Sequence, residues 1–267
     1  MQLSAVAPFG FKDFPEPQTL AFIREQGIVR VHVVRDYEHT LPAQRIRRML
    51  DDQGMAAESF HAEHGPQVDL SSPDASIRQK AVDLLAREAE VALGIGATVL
   101  VAHSAGAEAP FDPARSQSLR QGLQTLDAAA EQMGVRFLIE NMPPSYAYGQ
   151  DTGQLARDIQ AVDSPRIGLC FDTGHAHMVD RAPARHILGT KGFLHYIHAH
   201  DNDGDADQHL LPMTGAIDWP PIGRAIRQIN ADPIFCLEVF ESIKMLRKKL
   251  TPSWWQNLRG LLNGRAE

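Results

Sequence analysis

The sequence predicts an α/β fold in which eight strand–helix units, (β/α)8, close into a single-domain barrel over residues 1–267. Three observations lead there. The 267 residues fit one such barrel of roughly 250 residues with little left over. Short apolar runs alternate with helical patterns along the chain, and no linker-like stretch interrupts them. Finally, five apolar runs end on a metal-binding residue type, at spacings near the roughly thirty residues of one unit. These ends are Val101-Ala102-His103, Leu138-Ile139-Glu140, Cys170-Phe171-Asp172, Tyr196-Ile197-His198 and Cys236-Leu237-Glu238.

The units follow in order. Leu3 to Ala7 reads as a first strand, with a helix from Thr19 to Gln26 closed by Gly27. The β-branched run Ile28 to Val34 is the second strand, and Arg45 to Gln53 the helix before Gly54. Ala56 to His61 gives a weaker third strand. Ile77, Ala81, Leu84, Leu85 and Ala89 recur at helical spacing in a long helix from Ser72-Pro73 to Leu93, with Pro73 placed in its first turn. Thr98–Ala102 is the fourth strand, Arg115–Met133 a helix stopped by Gly134, and Val135–Ile139 the fifth strand. A helix at Thr152–Ala161, the strand Ile167–Phe171, a short helix near Ala184–Leu188 and the strand Phe193–Ala199 come next. The polar stretch Asp201–Thr214 is a long loop, a type that often carries function. Trp219–Ile229 is a helix and Pro233–Val239 the eighth strand. A last helix, Glu241–Leu262, is interrupted near Pro252.

Composition narrows the function classes. Hydrophobic residues make up 43% and charged residues 22%, ordinary for a soluble globular protein. A net charge of −7 and a pI near 5.9 offer no electrostatic grip on a phosphate backbone, so nucleic acid is disfavoured as a partner. No run of about eighteen apolar residues suggests a membrane span, and Met1–Gly10 lacks a basic leader ahead of an apolar core. Cys170 and Cys236 fall inside strands, on the same face as Asp172 and Glu238 and one layer deeper, and read as buried thiols of a cytoplasmic protein.

The strand ends carry the chemistry. Glu140, Asp172, His198 and Glu238 form a mixed oxygen–nitrogen set suited to a divalent cation such as Mn²⁺, Mg²⁺, Co²⁺ or Zn²⁺. Without an ion, three acids at one point would repel, and some would take up protons. Around them stand His61 and His103 at the ends of strands three and four, His175 three residues after Asp172, and the pair Asp207 and His209 in the long loop. Each of these five can bind a further ion, hold substrate hydroxyls or support the first ligands. His200 reads as a hydrogen-bonding or loop-packing residue, His64 and His177 as surface or supporting residues, and His32 as a satisfied core or interface histidine. Arg35 either meets an anionic substrate or is a solvated loop arginine. Trp254 and Trp255 read as packing or subunit contact.

Four segments resemble the xylose isomerase-like TIM barrel superfamily, which holds sugar-phosphate isomerases and epimerases and the endonuclease IV type of apurinic-site nuclease (AP endonuclease family 2). They are Leu138-Ile139-Glu140-Asn141, Gly168 to His175, His198-Ala199-His200-Asp201-Asn202 and Asp207-Gln208-His209-Leu210. Ile217-Asp218-Trp219 resembles the start of the family's penultimate helix, and the similarity runs from about Met55 to Phe240.

In the isomerase branch the resemblance implies one divalent ion held by Glu140, Asp172, His198 and Glu238. Glu140 and Glu238 would pass a proton to and from the carbon beside a carbonyl, and His175 would hold a substrate oxygen. In the nuclease branch His61, His103, Glu140, Asp172, His175, His198, Asp207, His209 and Glu238 would together hold three zinc ions. The chain departs from the nuclease pattern at Ala7-Pro8-Phe9-Gly10-Phe11, where a His-x-Ser signature is missing. It departs from the wider family at Met213-Thr214-Gly215-Ala216, where a glycine-rich turn is degraded, and at Val34-Arg35-Asp36, where many sugar isomerases offer an acid.

The expected function is a metal-dependent isomerase or epimerase acting on a sugar, sugar phosphate or polyol, a small polyhydroxylated carbonyl substrate, through a metal-stabilised enediolate. The alternatives are a multinuclear zinc phosphodiesterase, a dehydratase or lyase on a keto-polyol, and a non-catalytic metal-dependent binding protein. A homo-oligomer is the family-level expectation.

Overall fold

A computed structural model describes residues 1–106 and 110–263. Its eight strands are β1 (Leu3–Phe9), β2 (Arg30–Arg35), β3 (Ala56–His61), β4 (Val99–His103), β5 (Arg136–Glu140), β6 (Ile167–Asp172), β7 (Tyr196–Ala199) and β8 (Ile234–Leu237). They pair in parallel in chain order, and β8 closes the ring on β1 through Leu3↔Phe235 and Ala5↔Leu237. The described residues thus form a closed (β/α)8 barrel, the fold that alternating apolar runs and helical patterns predict. One irregularity breaks the pairing. Between β2 and β3 the partners step from Val31↔Ala57 to His32↔Ser59, leaving Glu58 as the extra residue of a β-bulge.

Helices pack outside the ring: α1 (Glu16–Glu25), α2 (Ala43–Asp52), α3 (Ala75–Ile95), α4 (Arg115–Met133) and α5 (Thr152–Gln160). Two follow β6, namely α6 (Thr173–Asp180) and α7 (Pro183–Gly189). Then come α8 (Trp219–Gln228), α9 (Ile243–Lys249) and α10 (Pro252–Asn263). Pro73 does not enter α3, because Asp74 caps that helix, its side chain accepting from the Ser76 amide. Past the ends of α3 and α4, Gly96 and Gly134 take φ of +103° and +68°, a conformation that glycine adopts without strain. The expected last helix is two, α9 and α10, parted at Thr251-Pro252. The seventh strand is shorter than predicted, since Phe193–His195 stay outside the ladder and only the last four residues pair.

Alternation along each strand builds two cores. Outward side chains such as Phe60, Phe137, Phe171 and Phe235 are wholly buried beneath the helices. Burial of each such ring contributes roughly 1.5–3 kcal/mol. Inward, Val6, Val34, Val101, Leu138, Cys170, Tyr196 and Cys236 fill the barrel's interior. Polar residues interrupt that filling, among them His32 and Ser59 in its depth and the strand-end acids and imidazoles at its C-terminal mouth.

Candidate metal centre

Four segments far apart in the chain deliver ligand-type atoms to one point. Glu140 and Asp172 end β5 and β6, His198 lies one residue inside the end of β7, and Glu238 directly follows β8. Register places Asp172 beside His198, and Glu238 lies two residues beyond Cys236, the partner of His198. One atom from each of the four lies within 4.8 Å of the others, and all four residues are buried. His198 Nδ1 is 2.7 Å from Glu140 Oε1 and 3.2 Å from Glu238 Oε2. Ligands about 2.0–2.2 Å from one ion, at right angles to each other, stand about 3 Å apart. The spacing fits a shared cation. So does Glu140 Oε2, a buried carboxylate oxygen without a hydrogen-bond partner.

Asp172 is also the cap of α6. Its Oδ1 accepts the His175 amide at 2.6 Å, so the acid opens the helix that carries His175. Asn141 ties the β5 and β6 ends together, accepting from the Asp172 amide and donating to the Asp172 carbonyl. His200 Nε2 stands 3.0 Å from both Asp172 oxygens, stacked on His209 at 4.0 Å. A side chain at Gly174 would collide with the His200 ring, which is why glycine stands there.

The remaining imidazoles form the rim. His61 Nε2 and His103 Nε2 each lie 3.5 Å from Glu140 Oε2. Across the mouth, Asp207 Oδ2 lies 3.3 Å from His175 Nε2 and 3.2 Å from His209 Nε2. The long polar loop is built to present these two residues. Asp201 and Leu210 exchange backbone hydrogen bonds across its neck, and Asp201 accepts from the Trp219 indole and the Ile217 amide. Farther out, Asp203 and Gln208 hydrogen bond to each other.

Between these groups lies an open-mouthed cavity of about 190 Å³. Its polar lining includes His61, His64, His103, Glu140, His175, Asp207, His209 and Glu238, and Val34, Met142, Pro143, Tyr146 and Phe240 supply the apolar wall.

Electrostatics divides the acids. Burial opposes charge on Glu140, but His198, His61 and His103 outweigh it and hold this carboxyl well below the ordinary carboxylate range. For Glu238, burial and the neighbouring Glu140, Asp172 and Asp207 charges all act together, pushing it well above that range. His175 is buried, yet Asp172 and Asp207 raise it to about 10. Asp207 is held low against its burial by His175 and His209. One carboxylate disposed to lose its proton beside another disposed to keep it is the arrangement of an acid–base pair.

The model of the family described as xylose isomerase-like TIM barrel matches residues 20–258. The chain belongs to that family. A relative, an uncharacterised protein of Methanocaldococcus jannaschii, is 28% identical over 185 residues, covering 66% of this chain and 62% of its own length. The chain thus spans less than two thirds of that relative. A ketose 3-epimerase of Arthrobacter globiformis is 24% identical over 225 residues, covering 82% of this chain and 75% of its own. Among solved structures, a D-tagatose 3-epimerase-like protein superposes with a TM-score of 0.79 at 19% identity, covering 99% of each chain, a likeness of fold.

All nine positions singled out in the sequence lie at this mouth of the xylose isomerase-like barrel: seven line the cavity, and Asp172 and His198 are buried beside Glu140 and Glu238. Other readings change. His64, though exposed, stacks on His103 at 4.8 Å and lines the cavity; the His61-x-x-His64 spacing was its only signal. His177 is buried and bonded to Asn202 at 2.7 Å, so it is not a surface residue. His32 is neither an interface residue nor fully satisfied: it is wholly buried and its Nε2 has no partner. Arg35 fits neither of its readings. Strand alternation turns Val34 into the mouth and Arg35 outward, where it pairs with Glu88 of α3 at 2.6 Å and lies over the Phe60 ring. Trp254 is buried and donates to the Pro212 carbonyl, a packing role. Among the described residues no helix is long and apolar enough to cross a membrane.

Proposed function

We propose that this protein is a divalent-metal-dependent epimerase or isomerase of a small polyhydroxylated carbonyl compound, a sugar or close relative. The carrying observation is that two buried carboxylates with opposed proton affinity, Glu140 and Glu238, flank one imidazole at a cavity of about 190 Å³. The likeness to a ketose 3-epimerase supports the same class.

Glu140, Asp172, His198 and Glu238 would hold the ion. When bound, it supplies positive charge to neighbouring oxygens of the substrate, lowering the cost of removing the proton between them. The chain's own residues do the rest. Glu140 on β5 and Glu238 after β8 reach the cavity from separate walls, so one takes a proton from the carbon beside the carbonyl and the other returns one. Return on the opposite face inverts the centre, whereas return to the adjacent carbon moves the carbonyl. His175 donates to a substrate oxygen, and Tyr146 and Phe240 exclude water from the exposed carbon faces.

Solvent deuterium tests this directly. Incubation with ketoses in D₂O should place deuterium beside the carbonyl, and Glu140→Gln or Glu238→Gln should slow that incorporation by about 10²–10⁴-fold. Full turnover in both variants overturns the mechanism.

A second reading rests on His61, His103, His175, Asp207 and His209, which could hold two more ions for phosphodiester hydrolysis. Three tightly held zinc ions by elemental analysis, with cleavage of abasic duplex that falls steeply with salt, would establish it. The net charge of −7 argues against that grip.

A further inference from the structure

Hydrogen-bonding capacity around the cavity is unevenly committed. Most of its imidazoles already face partners within the chain. His175 Nδ1 lies 2.9 Å from the Asn141 carbonyl oxygen, with Nε2 toward Asp207. His209 Nδ1 lies 3.2 Å from the Glu238 carbonyl oxygen, with its own Nε2 toward Asp207. His61 Nδ1 meets the Ala62 carbonyl oxygen at 2.8 Å, and the Nε2 atoms of His61 and His103 both face Glu140. Two polar side chains of the lining differ. Among the described residues, neither the Tyr146 hydroxyl nor the His64 ring makes a hydrogen bond.

These two share one place. His64 follows β3 and Tyr146 follows β5, and both pack on His103 at the end of β4 between them. His64 stacks on that ring at 4.8 Å, and Tyr146 meets it edge-on at 5.7 Å. His103 in turn borders Glu140, so His64 and Tyr146 form the next layer outward from the proposed ion. A closed loop presents Tyr146: the Met142 amide donates to the Gly149 carbonyl and the Tyr146 amide to the Pro143 carbonyl, each at 3.1 Å. No other side chain lining the cavity carries a hydroxyl. Burial, then the Glu140 and Asp207 charges, push this hydroxyl above the ordinary phenol range, so it remains a donor. No lysine or arginine among the lining residues could balance a phosphate here, and acids would oppose it.

We propose that Tyr146 and His64 form a subsite for the chain end of the substrate, each hydrogen bonding one hydroxyl on the carbons beyond those at the ion, and that the end they select is uncharged. Both are specificity-determining residues. The inference rests on the epimerase or isomerase reading above.

The probes are the 2-ketohexose that the wild type exchanges fastest, its 4-, 5- and 6-deoxy analogues and its 6-phosphate, each followed by deuterium incorporation from D₂O with Mn²⁺ present. Two of the deoxy analogues should show kcat/KM about 3–10-fold below the parent, the effect of one lost hydrogen bond each. Tyr146→Phe should bring one of them level with the parent, by raising the parent's KM while kcat holds, and His64→Phe should do so for the other. A merely structural role would lower parent and analogues alike. The 6-phosphate should be exchanged at least about tenfold more slowly than the parent. Analogues all matching the parent, or variants that lower every sugar equally, overturn the subsite, and a 6-phosphate exchanged as fast as the parent overturns the uncharged end. Those outcomes leave the proton-transfer reading standing, whereas no exchange with any ketohexose removes that reading and the subsite with it. The wild-type series decides even where a variant fails to fold.

Discussion

Two populations of buried charge lie in this barrel, and they are arranged in opposite ways. On the outer side, Arg35 meets Glu88 at 2.6 Å, and Arg115 meets both oxygens of Asp69 at 2.9–3.0 Å. Each acid there has its own guanidinium. At the mouth, Glu140, Asp172, Asp207 and Glu238 crowd together with imidazoles, and among the described residues neither lysine nor arginine lines their cavity. The first kind is self-contained and holds α3 and α4 in place. The second is deficient in positive charge, and a protein tolerates that where an ion or a proton completes the set. Burial alone therefore does not mark function; an uncompensated sign does.

The comparison can be broken in four ways. The largest effect should come from Glu140→Gln or Glu238→Gln, each lowering deuterium exchange at the substrate carbon by about 10²–10⁴-fold without unfolding the chain. Next, Arg35→Met should leave the buried Glu88 without a counter-charge, with only the Glu63 amide donating to it, and cost about 3–5 kcal/mol in denaturant titration, with ion affinity unchanged. If Arg35→Met weakens ion binding instead, the two populations are not separate.

Third, a divalent ion at a hundred times its dissociation constant should stabilise the fold by about 2.7 kcal/mol, and a chelator should reverse it. The pH dependence has a definite sign. Glu238 is raised above 4.5, so in the ion-free chain its contribution to stability is full below that pH and fades as pH rises through the shifted value. Ion binding displaces that proton and should strengthen over the same window, with proton release measurable by calorimetry in buffers of different ionisation enthalpy. Affinity flat from pH 5 to 8 would count against Glu238 as a ligand. Smallest is Gly174→Ala, which pushes His200 away from Asp172 and should weaken ion binding about tenfold.

Much of the mouth was legible because strands of a barrel end at one rim. A residue such as Glu140 closing an apolar run announces its own location. What escaped was local capping, side-chain direction and depth. Thr173–Asp180 contains glycine and β-branched residues and reads poorly as a helix, yet the Asp172 cap starts it. Arg35 differs from its expected place because one residue's shift along a strand reverses the face it presents. Asp207 and His209 were found as residue types, but only the Asp201–Leu210 neck explains how a polar loop aims them. The Glu58–Tyr196 contact spans 138 positions and depends on a bulge, so no local pattern could announce it.

The ring closes where β8 meets β1, and Glu238 leaves the chain immediately after that seam. On the proposed metal reading, a nascent polypeptide lacks its fourth donor until β8 has been synthesised and has joined β1. Ion uptake during refolding should lag behind helix formation and report completion of the cylinder, so that incomplete species are the ones that leave the ion in solution.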